Sequence, residues 1–211
     1  MVSRSVPGYA LTLEMIAVAA RRYTLPDTLC YDLGCSLGAA TLQIRHHAAP
    51  NCRIVGIDNA PAMLAKAASI IELDGPGLEV DFRCEDLLEF QPEPFSLAVL
   101  NLTLQFIPIA HRGEVLTRLR RAMLPGGCLV LSEKLAFENE QEQHLLTELH
   151  HDFKQLQGYS QMEVARKRAA IENVLIPETL ETHKQRLKAC GFSKVTVWLQ
   201  ALNFVSLLAE P

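Results

Sequence analysis

The run Tyr31-Asp32-Leu33-Gly34-Cys35-Ser36-Leu37-Gly38 sets an apolar strand against a glycine loop and the start of a helix. Ile57-Asp58-Asn59, about twenty residues further on, reads as the end of the next strand, with a carboxylate at its tip. A strand, a tight glycine turn, a helix and a second strand ending in an acid form the first unit of an open α/β sheet. In such sheets the glycines let backbone N–H groups approach a ligand and the acid takes ribose hydroxyls. The pair therefore points to an adenosine-containing cofactor.

The rest of the chain extends that unit. Apolar positions at helical spacing give a helix over 10–23, ahead of the strand over 28–33; the helix after the glycine loop covers 37–47. A short apolar strand spans 53–58. The helix that opens at Ala60-Pro61 runs to residue 73, with the proline in its first turn, where the missing N–H does no harm. A third strand over 78–84 leads into Glu85-Asp86. A fourth, over 94–101, is apolar enough to be buried on both faces. A helix over 111–123 stops at Pro125-Gly126-Gly127, and a fifth strand covers 128–132. This alternation implies right-handed crossovers and a parallel sheet. The rhythm then changes to two polar helices, 138–156 and 160–172, broken at Gly158. A helix over 178–189 is closed by Gly191, and strands over 194–200 and 203–208 form an antiparallel, hairpin-like end. The expectation is a single domain over 1–211 with a helical insertion at about 136–176.

Composition removes several classes. With 21% charged residues and a net charge of -4, the chain has no surplus of Lys and Arg for a nucleic-acid surface, and no direct nucleic-acid binding is expected. No apolar run reaches about eighteen residues and the first residues contain no signal-peptide core, so no membrane contact and a cytoplasmic setting are expected. Cysteines 30, 35, 52, 84, 128 and 190 form no C-x-x-C pair and mostly fall in apolar strand patterns. They read as small buried hydrophobes in a reducing compartment, with no metal site expected.

Two adenosine cofactors compete, NAD and S-adenosylmethionine (SAM). A dinucleotide wants G-x-G-x-x-G, with its pyrophosphate on the helix N-terminus. Here Ser36 stands where the middle glycine would be, and the third glycine has the wrong spacing. A second acid, Asp86, follows strand three, where it suits an adenine amino group. Asn101 ends strand four at the same edge. Gly34, Asp58, Asp86 and Asn101 thus mark the carboxyl ends of four strands, where open α/β sheets bind ligands. These features favour SAM. Gly34-Cys35-Ser36-Leu37-Gly38 also reads as G-x-S-x-G, but no acid and histidine follow in triad positions, so a nucleophile elbow is rejected.

Several longer segments carry a family resemblance. Arg4-Ser5-Val6-Pro7-Gly8-Tyr9, the stretch 31–41, Ile57-Asp58-Asn59-Ala60-Pro61-Ala62-Met63 and Leu100-Asn101-Leu102-Thr103-Leu104-Gln105-Phe106 resemble carboxy-S-adenosyl-L-methionine synthases. So do Leu131-Ser132-Glu133-Lys134, His150-His151-Asp152-Phe153-Lys154, Glu172-Asn173-Val174 and Glu181-Thr182-His183-Lys184. The match covers essentially the whole chain. Asp32-Leu33-Gly34 is generic to SAM enzymes; the RSVPGY, HHDFK and ETHK segments are far more specific. Family members usually carry a further segment ahead of RSVPGY, and this sequence departs from them there.

The resemblance implies an α/β class I methyltransferase (Rossmann-like) fold. Its features would be a seven-stranded, mostly parallel sheet, helices on both faces and the helical insertion before the last two strands. It implies a transferase that does not methylate. Prephenate would donate a carboxyl group to the methyl of SAM, giving carboxy-SAM and phenylpyruvate. A separate tRNA carboxymethyltransferase would use the product to build uridine-5-oxyacetic acid at the tRNA wobble uridine. Cofactor contacts carried over by position fall on Tyr9, Gly34, Cys35, Ser36, Asp58, Asn59, Asp86, Leu87 and Asn101. The arginine that grips the added carboxylate falls on Arg168, the one catalytic assignment. The family also implies a homodimer and no metal.

The chemistry asks mainly for positioning and electrostatics. A sulfonium methyl that loses a proton must be kept from water, and decarboxylation of prephenate can supply both carbon dioxide and a base as its ring aromatises. A guanidinium presents a planar, permanently charged fork to a carboxylate, which suits Arg168, although Arg166-Lys167-Arg168 alone would read as a solvated helix face. His150, His151 and His183 receive no role. Two rivals remain open: a small-molecule SAM-dependent methyltransferase, and a non-catalytic SAM-binding partner subunit. The amino-group methyltransferases are disfavoured, because Leu102-Thr103-Leu104 replaces their Pro-Pro-aromatic sequence after the strand-four Asn.

Overall fold

A computed structural model describes residues 2–160, 162–163 and 174–211. Its centre is a sheet of seven strands: β1 (Leu29–Leu33), β2 (Arg53–Asp58), β3 (Val80–Cys84), β4 (Phe95–Asn101), β5 (Met123–Lys134), β6 (Lys194–Ala201) and β7 (Phe204–Glu210). Their order is β3-β2-β1-β4-β5-β7-β6, with β7 antiparallel to both its neighbours and the other adjacent pairs parallel. The expected terminal hairpin is therefore present, and it docks with its second strand innermost.

The position of each strand follows from its side chains. All five residues of β1 are buried, as are the first six of β4, so these two strands form the middle of the sheet. On β3 no residue is fully buried, as befits an edge. The α-helices bounded within the described residues are α1 (Tyr9–Tyr23), α2 (Ala39–His47), α3 (Pro61–Asp74), α4 (Ile109–Ala122), α5 (Glu140–Leu156) and α6 (Leu180–Ala189). One face of the sheet packs on Ile16, Ala19 and Ala20 of α1 and on Ala40 and Ile44 of α2. The alanines bring these helices close to the strands. The opposite face packs on Val115, Leu116 and Leu119 of α4 and on Leu187 of α6. Core burial on both faces supplies most of the driving force for this arrangement.

The sequence boundaries hold to within a few residues. The largest difference is β5, which starts at Met123 rather than 128, because the Pro125-Gly126-Gly127 turn forms an irregularity within the strand instead of a loop ahead of it. Helix α4 accordingly begins and ends slightly earlier than expected. Asn139 caps α5 by accepting from the Glu142 N–H at 3.0 Å, and Thr179 caps α6 by accepting from the Thr182 N–H at 3.1 Å. The helix expected over 160–172 falls largely outside the described residues.

The chain reverses its winding between β1 and β4. From β1 it builds outward through β2 to β3, then crosses back to β4 on the other side. That switch point opens a crevice at the carboxyl ends of the strands.

Candidate active site

Gly34 leaves β1 with φ +77°, and its N–H donates to the Ile57 carbonyl at 2.7 Å. A Cβ on Gly34 would lie 2.4 Å from the Thr103 side chain, so neither the backbone conformation nor the space admits another residue. The Cys35 N–H reaches the same Ile57 carbonyl at 2.9 Å. Ser36 takes a positive φ of 50°, where the sequence lacks the middle glycine, and its N–H donates to Asp58 Oδ2 at 2.9 Å. The loop N–H groups expected to face a ligand are thus bound to β2 at these three residues. What the loop supplies at Gly34 is close approach, and the N–H groups hold Asp58 and the end of β2 in place.

Asp58 also accepts from the Ala60 N–H through Oδ1 at 2.9 Å. A carboxylate has roughly four acceptor positions, so about two remain for hydroxyls. Asn59 beside it is exposed. Asp86, two residues past β3, is exposed and accepts from the Leu88 N–H at 2.9 Å. Leu87 is half-buried, and its carbonyl accepts from Arg118 at 2.8 Å. Asn101 ends β4 with its Oδ1 buried and without a hydrogen-bond partner. A buried orphan acceptor at the mouth of the crevice is an opening for a donor from a ligand. Tyr9 begins α1 after Gly8, which has φ +73°, and lines a small pocket with Thr12, Asn101, Ser132, Phe204 and Ser206. Burial raises the Tyr9 phenol above its ordinary pKa, and the Asp32 charge adds to the effect.

Asp32 is a residue that sequence reasoning left out of the site. It lies buried in β1, accepts from Thr41 Oγ1 at 2.6 Å, and burial pushes its pKa up to about 6, with the Asp58 charge contributing. The signal was present in the sequence: an acid inside a strand that is otherwise apolar. The Cys35 thiol is pushed up by burial and by the charges of Asp32 and Asp58, so it remains protonated. Cys30, Cys52 and Cys128 are buried as expected, but Cys84 is exposed at the end of β3.

Behind Asn101 stands a second layer that the sequence did not reveal. Glu133, fully buried on β5, accepts from the Leu104 and Gln105 N–H groups at 2.9 and 2.8 Å, pinning the turn that follows β4. Burial raises its pKa to about 8. The Gln105 carbonyl accepts from the fully buried Arg112 at 3.1 Å, and Arg112 also donates to the carbonyls of Ile107 and Ile176 and pairs with Glu178. Arg186 completes a fork on Glu178 at 2.7 and 2.5 Å. Next to the Glu178 cluster, His183 is buried with both ring nitrogens unpaired; burial lowers its pKa to about 4.

The structure thus brings Gly34, Cys35, Ser36, Asp58, Asn59, Asp86, Leu87, Asn101 and Tyr9 to one end of the sheet. Arg168 lies outside the described residues. His150 and His183 are both buried. With Asp58 and Asp86 at its rim, Asp32 buried beneath the loop, and the Gly34, Cys35 and Ser36 N–H groups engaged, the crevice suits a ligand with positive charge and hydroxyls better than a pyrophosphate. Among the described residues no cluster of His, Cys, Asp and Glu is placed to hold a metal ion. No described helix is long and apolar enough to cross a membrane.

Sheet order and crevice define a class I methyltransferase fold, and residues 30–127 match the methyltransferase domain model. Human N-acetylserotonin methyltransferase in complex with SAM shares the fold, with a TM-score of 0.64 at 18% identity over 96% of this chain and 52% of that one. A cyclopropane synthase from Mycobacterium tuberculosis does so with a TM-score of 0.65 at 15% identity, over 88% and 62% of the two chains. The chain belongs to the carboxy-S-adenosyl-L-methionine synthase family, a family of transferases. It is 51% identical to the synthase of Marinobacter nauticus over 99% of this chain and 84% of that protein. It is 49% identical to the synthase of Trichlorobacter lovleyi over 99% and 86%.

Proposed function

We propose that this chain converts SAM to carboxy-SAM with prephenate as the carboxyl donor. The observation that carries the reading is the acidic crevice with its orphan acceptor at Asn101, in a chain about half identical to carboxy-SAM synthases along nearly its whole length. When bound, SAM supplies a methyl group on a positively charged sulfur. Asp58 offers its remaining acceptor positions to the ribose, Asp86 faces the adenine amino group, and Asn101 Oδ1 accepts from the ligand. Asp32 adds negative charge beneath the loop, which favours a cation-bearing ligand. Tyr9 covers the crevice from the side of α1. Arg168 grips the carboxylate that the product carries and SAM lacks.

The reaction balances without an external base. Prephenate gives up carbon dioxide and its ring hydroxyl and leaves as phenylpyruvate. The methyl proton and that hydroxide leave as water, and the new carbon–carbon bond joins the carbon dioxide to the methyl carbon. The protein's task is to orient the two substrates and exclude water. The product would serve a tRNA carboxymethyltransferase acting on the wobble uridine, in the cytoplasm. A homodimer is part of the same reading. Leu145, Leu149 and Leu156 form an exposed apolar stripe on α5, as a helix that awaits a partner would.

Native mass spectrometry of the purified protein, followed by incubation with SAM and prephenate, tests the reading. The expected result is a bound or released ligand heavier than SAM by one carbon dioxide, together with phenylpyruvate. Bound SAM with no conversion would overturn the synthase reading and leave an inert SAM binder. Methyl transfer to a small acceptor would leave a methyltransferase.

A further inference from the structure

The HHDFK segment has no role in the reading above, yet one of its histidines lies at a junction. His150 is 5% exposed, and its Nε2–H donates to the Ser5 carbonyl at 2.7 Å. Its ring meets Phe204 edge-on, with centroids 5.1 Å apart and planes at 79°. Phe204 lines the same pocket as Tyr9 and Asn101. One imidazole thus joins α5, β7 and the segment that delivers Tyr9.

The far end of the same helix repeats the grip. Arg4 Nε donates to the Gln157 carbonyl at 2.8 Å, the Arg4 guanidinium stands 4.7 Å over the Tyr159 ring, and Ser5 Oγ donates to Tyr159 Oη at 3.2 Å. Within the segment itself the backbone hydrogen bonds are short-range. The Ser5 and Val6 N–H groups donate to the Val2 carbonyl, and the Tyr9 N–H donates to Val6. On the inner side Gly8 lies so close to Ala201 that a Cβ would stand 3.2 Å from it. A turn this short is set by what clamps its two sides. A histidine suits the outer clamp because it offers an N–H to a carbonyl and a flat apolar edge to Phe204.

We propose that His150 is a positioning residue: it clamps the Ser5–Tyr9 segment against the sheet and thereby sets the Tyr9 ring over the cofactor crevice. The inference rests on the reading that Tyr9 contacts SAM. It makes α5 part of the cofactor site without touching the ligand.

Hydrogen exchange and SAM titration of the full chain test it together. His150→Leu should raise exchange at the Val6 and Tyr9 amides. It should also weaken SAM binding roughly tenfold, the scale of one lost buried hydrogen bond. His150→Gln, whose Nε2 also donates, should restore both. In a Tyr9→Ala background, His150→Leu should add little further loss of affinity, because its effect runs through that ring. Unchanged exchange in His150→Leu would overturn the proposal, as would an undiminished affinity loss in the Tyr9→Ala background. If His150→Leu does not fold, Arg4→Ala opens the exposed end of the same clamp and should raise exchange at the same amides; unchanged exchange there also overturns it. The exchange result judges the clamp even for a wild-type chain that binds no SAM. A wild type that does not bind SAM would sink the functional reading instead.

Discussion

The crevice at the end of β1 and the excursion between β5 and α6 are built on opposite plans. In the crevice the decisive ties join neighbours within one β–α–β unit, such as the Ser36 N–H and Asp58, 22 residues apart. The excursion is held by ties that span the chain: Arg112 to Glu178 across 66 residues, His150 to Ser5 across 145 and Arg4 to Gln157 across 153. The glycine-loop part of the cofactor cradle is thus built locally, within one β–α–β unit. The excursion is positioned by the tertiary structure as a whole.

The largest expected effect tests the long-range half. Arg112→Met removes the donor from the Gln105, Ile107 and Ile176 carbonyls and leaves Glu178 with Arg186 alone. Urea denaturation should show a loss of about 3–5 kcal/mol. A loss under about 1 kcal/mol would mean that the root of the excursion is not anchored there. Gly34→Ala tests the local half. A methyl 2.4 Å from Thr103 at φ +77° should cost about 3 kcal/mol of stability and abolish SAM binding, and adding Thr103→Gly should recover part of both.

Acid titration separates the two plans at a single residue. His183 is held neutral by burial, with a folded pKa of about 4 against an ordinary 6.5. As pH falls through 6.5 the unfolded chain takes a proton that the folded chain refuses, so stability falls between pH 6.5 and 4. His183→Leu should remove that dependence, on the order of 3 kcal/mol across the window. The opposing contributions of Asp32 and Glu133 are common to both proteins, so the difference isolates the histidine. Parallel pH profiles for the two proteins would exclude this assignment. The smallest effect is expected from Asn101→Ala, which should weaken SAM binding by about 1 kcal/mol and leave stability nearly unchanged, as isothermal calorimetry would show.

The same division decides what the sequence revealed. The strands and helices of the β1–α2–β2 unit were legible because their apolar periods and glycines act over a few residues. Asp58, Asp86 and Asn101 were legible because strand ends in this fold share one edge. The engagement of the loop N–H groups by β2 was not legible, since it depends on how Ile57 and Asp58 sit beside Gly34 once the strands pair. Arg112 lies within the helix expected over 111–123 and received no role from the sequence. Only the fold reveals that it is fully buried and what it binds. His150 was visible within a motif, but its partners Ser5 and Phe204 come from the two ends of the chain.

Leu135 and Glu178 form a bridge, and the Ala136 N–H donates to the Glu178 carbonyl. The chain therefore leaves the sheet and returns to it at a single doorway. The stretch beyond it can change length without redirecting any strand, provided that α5 keeps its hold on Ser5 and Phe204. Divergence among proteins with this sheet is expected to gather there, in length as much as in residue.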